Sequence, residues 1–204
     1  MRHPKGQRLS LTKIDAAEAQ LKKAVRMYFE NDHLVPIYAL ANAVREVTAG
    51  IGEHLDVETV QKELATALGV KFEEMVRPLS KIANFFKHAN RDPTATIVLG
   101  DDDVEFVLFL ACHDFARVAA GMPIEAQVFQ AWAYATAIER VSKFRLRGQP
   151  LIKKMIAIFP GLRRAPDRAA QKKIGLEIME RAIQNKSLEM TIRRQAPPKS
   201  KPAS

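Results

Sequence analysis

Cysteine is almost missing from this chain: Cys112 is the only one in 204 residues. A lone thiol excludes an intramolecular disulfide and every multi-cysteine zinc site, and it fits a reducing compartment. No window holds about eighteen consecutive apolar residues, the length a membrane-spanning helix requires. Met1 to Ser10 is too polar and basic to act as the apolar stretch of a signal peptide. The expectation is a soluble, cytoplasmic protein. Glycine never gathers into a phosphate-cradling loop, so P-loop and dinucleotide-binding readings have no support. Strand-period alternation is also absent, apart from a short β-prone stretch at Thr94 to Leu99.

Acidic residues are scarce in one part only. The last 62 residues, from Lys143, hold 16 Lys and Arg against 4 Asp and Glu, while the first 142 hold 16 against 19. All of the excess positive charge (+9 overall) therefore sits in the C-terminal third, and Asp167 is the only acid between Lys143 and Lys173. Such a block attracts polyanions, because each neutralised phosphate releases condensed counterions. Nucleic acid ranks above an anionic membrane surface, since the apolar residues Leu151, Ile152, Met155, Ile156, Ile158 and Phe159 are needed to dock their helix.

What is present is helical periodicity. Ile14, Ala17, Leu21, Ala24, Val25, Tyr28 and Phe29 recur at helical spacing behind a capping box of Thr12 and Asp15. Asn31 and Asp32 break this helix, and Pro36 suits the first turn of a second. Asp56 reads as the N-cap of a third helix that Gly69 closes. A fourth runs from near Lys71 through Pro78 to the Arg91-Asp92-Pro93 stop. Asp101, Asp102 and Asp103 cap a fifth, Val104 to Ala120, which is apolar almost all round and is the expected centre of the core. A sixth spans Ile124 to Phe144, and two more are expected at Leu151 to Phe159 and Pro166 to Asn185. The predicted fold is all-α: a bundle of about six helices over residues 9–144, a basic helical extension over 145–194, and a disordered tail over 195–204.

Three constellations are candidates for chemistry. In the fourth helix Arg77, Lys81, Asn84, His88 and Arg91 are spaced by four, three, four and three, so they share one face. Lys81 and Arg91 would hold a phosphodiester, Asn84 would fix a hydroxyl or the imidazole tautomer, and His88 would move the proton. The bland alternative is a solvated helix face. Secondly, His113-Asp114 with His88 upstream and Asp167 downstream imitates the ligand order of HD-type metal phosphohydrolases, although Phe115-Ala116-Arg117 follows the doublet in place of the usual Gly-Lys. A neighbouring helix or Arg117 is the alternative partner for Asp114. Thirdly, the last two expected helices could form a helix-turn-helix that contacts phosphates through Arg145, Arg147, Lys153, Lys154, Arg163, Arg164, Arg168, Lys172 and Lys173.

The segment Asn84-Phe85-Phe86-Lys87-His88-Ala89-Asn90-Arg91-Asp92-Pro93, together with Leu11 to Ala17 and Val35 to Ala41, resembles a group of bacterial all-helical proteins over roughly residues 11 to 135. That group has no assigned activity to carry over. More loosely, a short bundle with a polar Asn-to-His turn is similar to the HEPN superfamily, whose members include dimeric RNases of toxin-antitoxin and phage-defence systems. Asn84 and His88 match the family's polar residue and histidine, but Ala83 stands where the family has arginine. The resemblance implies an RNA-binding stress or defence protein, or a metal-independent ribonuclease using His88, Asn84 and Lys81. It implies no cofactor and no metal. A homodimer or another protein partner completes the expectations.

Overall fold

A computed structural model of the chain describes residues 8–88, 90, 92–140 and 150–185. Among them the fold is all-α, with eight α-helices and one 3₁₀ turn and no strand. The helices are α1 (Lys13–Phe29), α2 (Leu34–Leu55), α3 (Val60–Leu68), α4 (Phe72–Lys87), α5 (Asp101–Val118), α6 (Ile124–Arg140), α7 (Pro150–Ile158) and α8 (Arg168–Asn185). No helix among the described residues is long and apolar enough to cross a membrane.

Local chemistry sets the boundaries. The capping box at α1 forms as its residues require: Asp15 N–H donates to Thr12 Oγ1 at 3.1 Å, and Thr12 N–H donates back to Asp15 Oδ2 at 2.9 Å. Asn31, with φ 56°, turns the chain, and the imidazole Nδ1 of His33 accepts the Val35 N–H to cap α2. α2 passes through Gly50 and Gly52. It runs on to Leu55, where Asp56 takes the left-handed conformation, φ 56° and ψ 40°, and the Val57 N–H returns to the Gly52 carbonyl at 2.8 Å. A Cβ at Gly52 would lie 2.8 Å from the Val57 carbonyl oxygen, so this return requires glycine. Asp56 therefore closes α2 and does not open α3, whose N-cap is Thr59.

α2 and α5 form the central pair; α1 packs on both, α6 on α1 and α5, α4 on α2, and α3 on α5 and α4. The expectation of α5 at the centre holds: Val104, Val107, Leu108, Leu110, Ala111, Cys112, Asp114 and Phe115 are all buried. Tyr28, Phe29, Phe129 and Trp132 meet between α1 and α6 with ring centroids 5.5 to 6.0 Å apart, mostly edge-on or tilted.

The residues expected to form a basic extension belong to this same core. α7 and α8 both rest on α6, and α8 also packs on α1. Phe159, Leu162, Met179 and Ala182 lie inside the same hydrophobic cluster as the core residues of α1, α2, α5 and α6. At Gly175 the α8 backbone lies so close to the Phe29 side chain that a Cβ would sit 2.3 Å from its ring. α7 and α8 thus pack on the bundle helices α1 and α6. The expected tail, 195–204, and the end of the extension lie outside the described residues.

Candidate nucleic-acid interface

The joint between α7 and α8 decides which basic side chains reach solvent. Gly161, with φ 86°, allows a reversal that leads into a 3₁₀ turn at Leu162–Arg164. Leu162 is buried and anchors the turn, while Arg163 and Arg164 are exposed. Lys154 on α7 and Lys173 on α8 are exposed as well. Asp167, the one acid of the stretch, accepts the Ala170 N–H at 2.8 Å and so caps α8.

Two of the predicted phosphate contacts point the other way. Lys172 is only 1% exposed: its ammonium donates to Asn31 Oδ1 at 3.0 Å, pairs with Asp101, and lies 4.4 Å from the centroid of the Tyr28 ring. Arg168 pairs with Glu105, donates to Gln171 Oε1 at 2.8 Å, and stacks 4.8 Å from the centroid of the Trp132 ring. Tyr28 Oη also donates to Glu105, at 3.2 Å, and Trp132 Nε1 donates to the Gln171 carbonyl at 3.0 Å. These contacts form an ionic seam between α5 and α8 in which carboxylates four residues apart meet cations four residues apart. Arg168 and Lys172 hold the fold together and are not surface contacts for a polyanion. The sequence carried the signal: Arg168, Lys172, Gly175, Met179 and Ala182 are spaced by four, three, four and three, so the two cations continue the buried stripe of α8. Arg145 and Arg147 lie outside the described residues. Lys153 sits on α7, but its side chain lies outside them too.

On α4, Leu79, Ile82 and Ala83 take the buried side, and Arg77, Lys81 and Asn84 are exposed. His88 is no longer helical; it is the C-cap, with φ −125° and ψ 54°, and its N–H donates to the Asn84 carbonyl at 3.0 Å. Arg91 lies outside the described residues. Among the described residues no hydrogen bond or ion pair joins the side chains of Lys81, Asn84 and His88. Lys87, the neighbour on the chain, instead reaches across to Glu46 at 3.3 Å.

The HD-like order is not assembled. Asp114 is buried, and its Oδ1 accepts the Val60 N–H of the α3 first turn at 2.8 Å. This is the neighbouring-helix role. Arg117 holds the same end of α3, donating to the Glu58 carbonyl at 2.7 Å and pairing with Glu63 at 2.6 Å. His113 packs on Phe109 and shares a 3.1 Å hydrogen bond with Tyr134 Oη. Burial, helped by the Arg117 charge, pushes the His113 imidazole down to about 4, so it is neutral at pH 7. Among the described residues no three His, Cys, Asp or Glu side chains are placed to hold a metal ion. Burial also pushes the Cys112 thiol up, well away from any nucleophilic role.

No protein-family model, no curated protein and no solved structure matches this chain.

Proposed function

We propose that this is a cytoplasmic protein that binds nucleic acid through the cationic joint between α7 and α8. The observation that carries the reading is the 3₁₀ turn pinned by buried Leu162, which presents Arg163 and Arg164 to solvent between the exposed Lys154 and Lys173. Phosphates are the natural ligand of guanidinium groups displayed in this way, because each donates a planar pair of N–H groups to one oxyanion. The HEPN resemblance places RNA ahead of DNA and suggests a stress or defence setting. Nothing in the joint reads bases: its exposed cations contact the backbone, so binding is of low sequence preference.

The test is a titration of labelled single-stranded RNA with full-length protein at about 50 and about 200 mM salt. Affinity should fall steeply between the two, and an Arg163→Ala, Arg164→Ala double variant should bind more weakly with a shallower salt dependence, by about one in log–log slope per lost contact. Salt-independent binding, or equal binding by the double variant, overturns the reading.

A second reading rests on the exposed face of α4, where Lys81 and Asn84 precede the His88 cap. There the protein is a metal-independent ribonuclease in which His88 moves the proton. The bound RNA, run on a denaturing gel, comes out shortened with wild type and intact with His88→Ala. Equal cleavage by that variant removes this reading and leaves the first untouched.

A further inference from the structure

Arg45 on α2 is buried, only 8% exposed, and its hydrogen-bond partners are all neutral. Its Nε and Nη2 donate to Asn42 Oδ1 at 3.3 and 2.9 Å, and its Nη1 donates to Gln61 Oε1 on α3 at 2.8 Å. A guanidinium has five N–H donors, so one N–H of Nη1 and one of Nη2 make no hydrogen bond among the described residues. Arginine is seldom buried to this degree without a carboxylate to accompany it. Glu46 lends charge from the surface, where Asn42 Nδ2 and Lys87 hold it. The buried carboxylate that Arg45 senses is Asp114 of α5, 2% exposed.

Arg45 and Asp114 reach the same turn of α3 from two different helices. Asp114 Oδ1 accepts the Val60 N–H at 2.8 Å, and Gln61, the partner of Arg45, is the next residue. Burial raises the Asp114 carboxyl, and the Val60 hydrogen bond together with the Arg117 and Arg45 charges opposes that rise. The two charges act on one another, yet no hydrogen bond or ion pair joins them among the described residues. Two atoms of the cluster are also left open. Asp114 Oδ2, an acceptor, and Gln61 Nε2, a donor, are buried without a partner among the described residues. Rotating the Gln61 amide does not close the gap: Arg45 offers only donors, so Oε1 must stay on the guanidinium.

The open groups select their ligand. The donors are Gln61 Nε2 and the remaining N–H groups of Arg45 Nη1 and Nη2, and the acceptor is Asp114 Oδ2. A metal ion would meet a guanidinium and a set of donors, and an anion would meet a carboxylate. Water accepts from the donors and donates to the acceptor, and the few polar partners it needs are supplied by these three side chains. We infer that an internal water bridges Gln61 and Arg45 to Asp114, making Asp114 the buried counter-ion of Arg45 and tying α2, α3 and α5 together at one point. This site is separate from the α7–α8 joint and does not depend on RNA binding.

The first test is a high-resolution crystal structure of the full-length wild-type protein. Expected is an ordered water about 2.7–3.2 Å from Asp114 Oδ2 and from the Gln61 Nε2 or Arg45 nitrogens. A direct contact between Arg45 and Asp114, a metal ion or an anion at this place, or a dry cluster overturns the proposal. In solution, urea unfolding of Arg45→Met, Asp114→Asn and the double variant measures whether the two charges are coupled without touching. Asn keeps an Oδ1 to accept the Val60 N–H, so the cycle reads the charge and the Oδ2 position. The double variant should raise the unfolding equilibrium constant by about fivefold less than the product of the two single changes, because neither charge is then left alone. Effects that simply multiply overturn the bridge. Should a variant lose its unfolding transition, the wild-type crystal decides alone.

Discussion

Two groups of cations lie within a dozen residues of one another at the start of α8, and the fold sends them to opposite places. Arg163, Arg164 and Lys173 are exposed, whereas Arg168 and Lys172 are drawn inward against Glu105, Asp101, Tyr28 and Trp132. Composition cannot separate the two groups, because both are Lys and Arg in the same basic stretch. Partners can. The inward pair faces two carboxylates with matching four-residue spacing and two aromatic rings, so each cation exchanges water for a counter-ion and a π face. Arg163, Arg164 and Lys173 stay exposed, the first two on a turn that follows a glycine and is anchored by one buried leucine. Part of the charge asymmetry that suggested a polyanion ligand is thus spent within the molecule, and only the remainder is available for one.

The most severe way to break this comparison is Glu105→Ala. It leaves the part-buried Arg168 guanidinium beside Trp132 without the Glu105 carboxylate and takes the acceptor from Tyr28 Oη. Removing one partner of a fully buried pair costs about 3–5 kcal/mol and of an exposed one under about 1, so this part-buried pair should cost about 2–3 kcal/mol, a large part of the total stability of a domain. Urea unfolding measures it. A cost near that of a surface pair, under about 1 kcal/mol, would mean that α8 is not held by the seam. Gly175→Ala tests the other contact of the same helix. The new methyl meets the buried Phe29 ring well inside van der Waals distance, so overpacking of about 1–3 kcal/mol is expected. An unchanged midpoint would show that α8 can stand off from α1 without loss.

Local signals were legible and distant ones were not. Thr12 and Asp15 lie three residues apart and describe their own capping box, and the helix they start is where the periodicity places it. Asp56 misled because an aspartate between two helices suits both an N-cap and a left-handed C-terminal residue. What decided the matter was the return of Val57 onto Gly52, which depends on the close packing that Gly52 permits. The seam joins residues 63 and 71 positions apart, and no local pattern announces which acid a distant cation will meet. Even so, the stripe that runs from Arg168 through Met179 marked those cations as inward. At the candidate site, helical spacing correctly put Arg77, Lys81 and Asn84 on the wet side of α4. It missed that the helix ends at Lys87 and leaves His88 as a cap.

The far end of α5 shows a third fate for polar groups: burial in the neutral state. His113 is neutral in the fold until about pH 4 but titrates near 6.5 when unfolded, so the unfolded chain binds more protons across that window. Its contribution to stability is complete above 6.5 and is lost as pH falls toward 4, with a slope of at most about 1.4 kcal/mol per pH unit. Asp114 acts in the opposite sense. Burial raises its carboxyl, so acidification relieves a charged group that the fold holds at a cost. Comparing wild type with His113→Gln between pH 4 and 7 isolates the histidine. The variant should lose the fall in stability on acidification that the imidazole causes, and parallel curves for the two proteins would contradict its neutral burial.

The smallest effect on stability should come from the outward group, and that is what makes it informative. Arg163 and Arg164 are exposed, and the turn beneath them is fixed by Leu162 and Gly161, so Arg163→Ala with Arg164→Ala should shift the urea midpoint only as far as surface substitutions do, within about 0.5 kcal/mol each. The same double variant should weaken RNA binding and flatten its salt dependence. Arg168→Ala should do the reverse: a large loss of stability, with the RNA affinity of the folded fraction close to wild type at low temperature. If the two variants exchange these signatures, the division of cations into those that hold the fold and those that meet a ligand has been drawn the wrong way round. If both lose only stability, the joint has no polyanion to bind, and the basic stretch serves the fold alone.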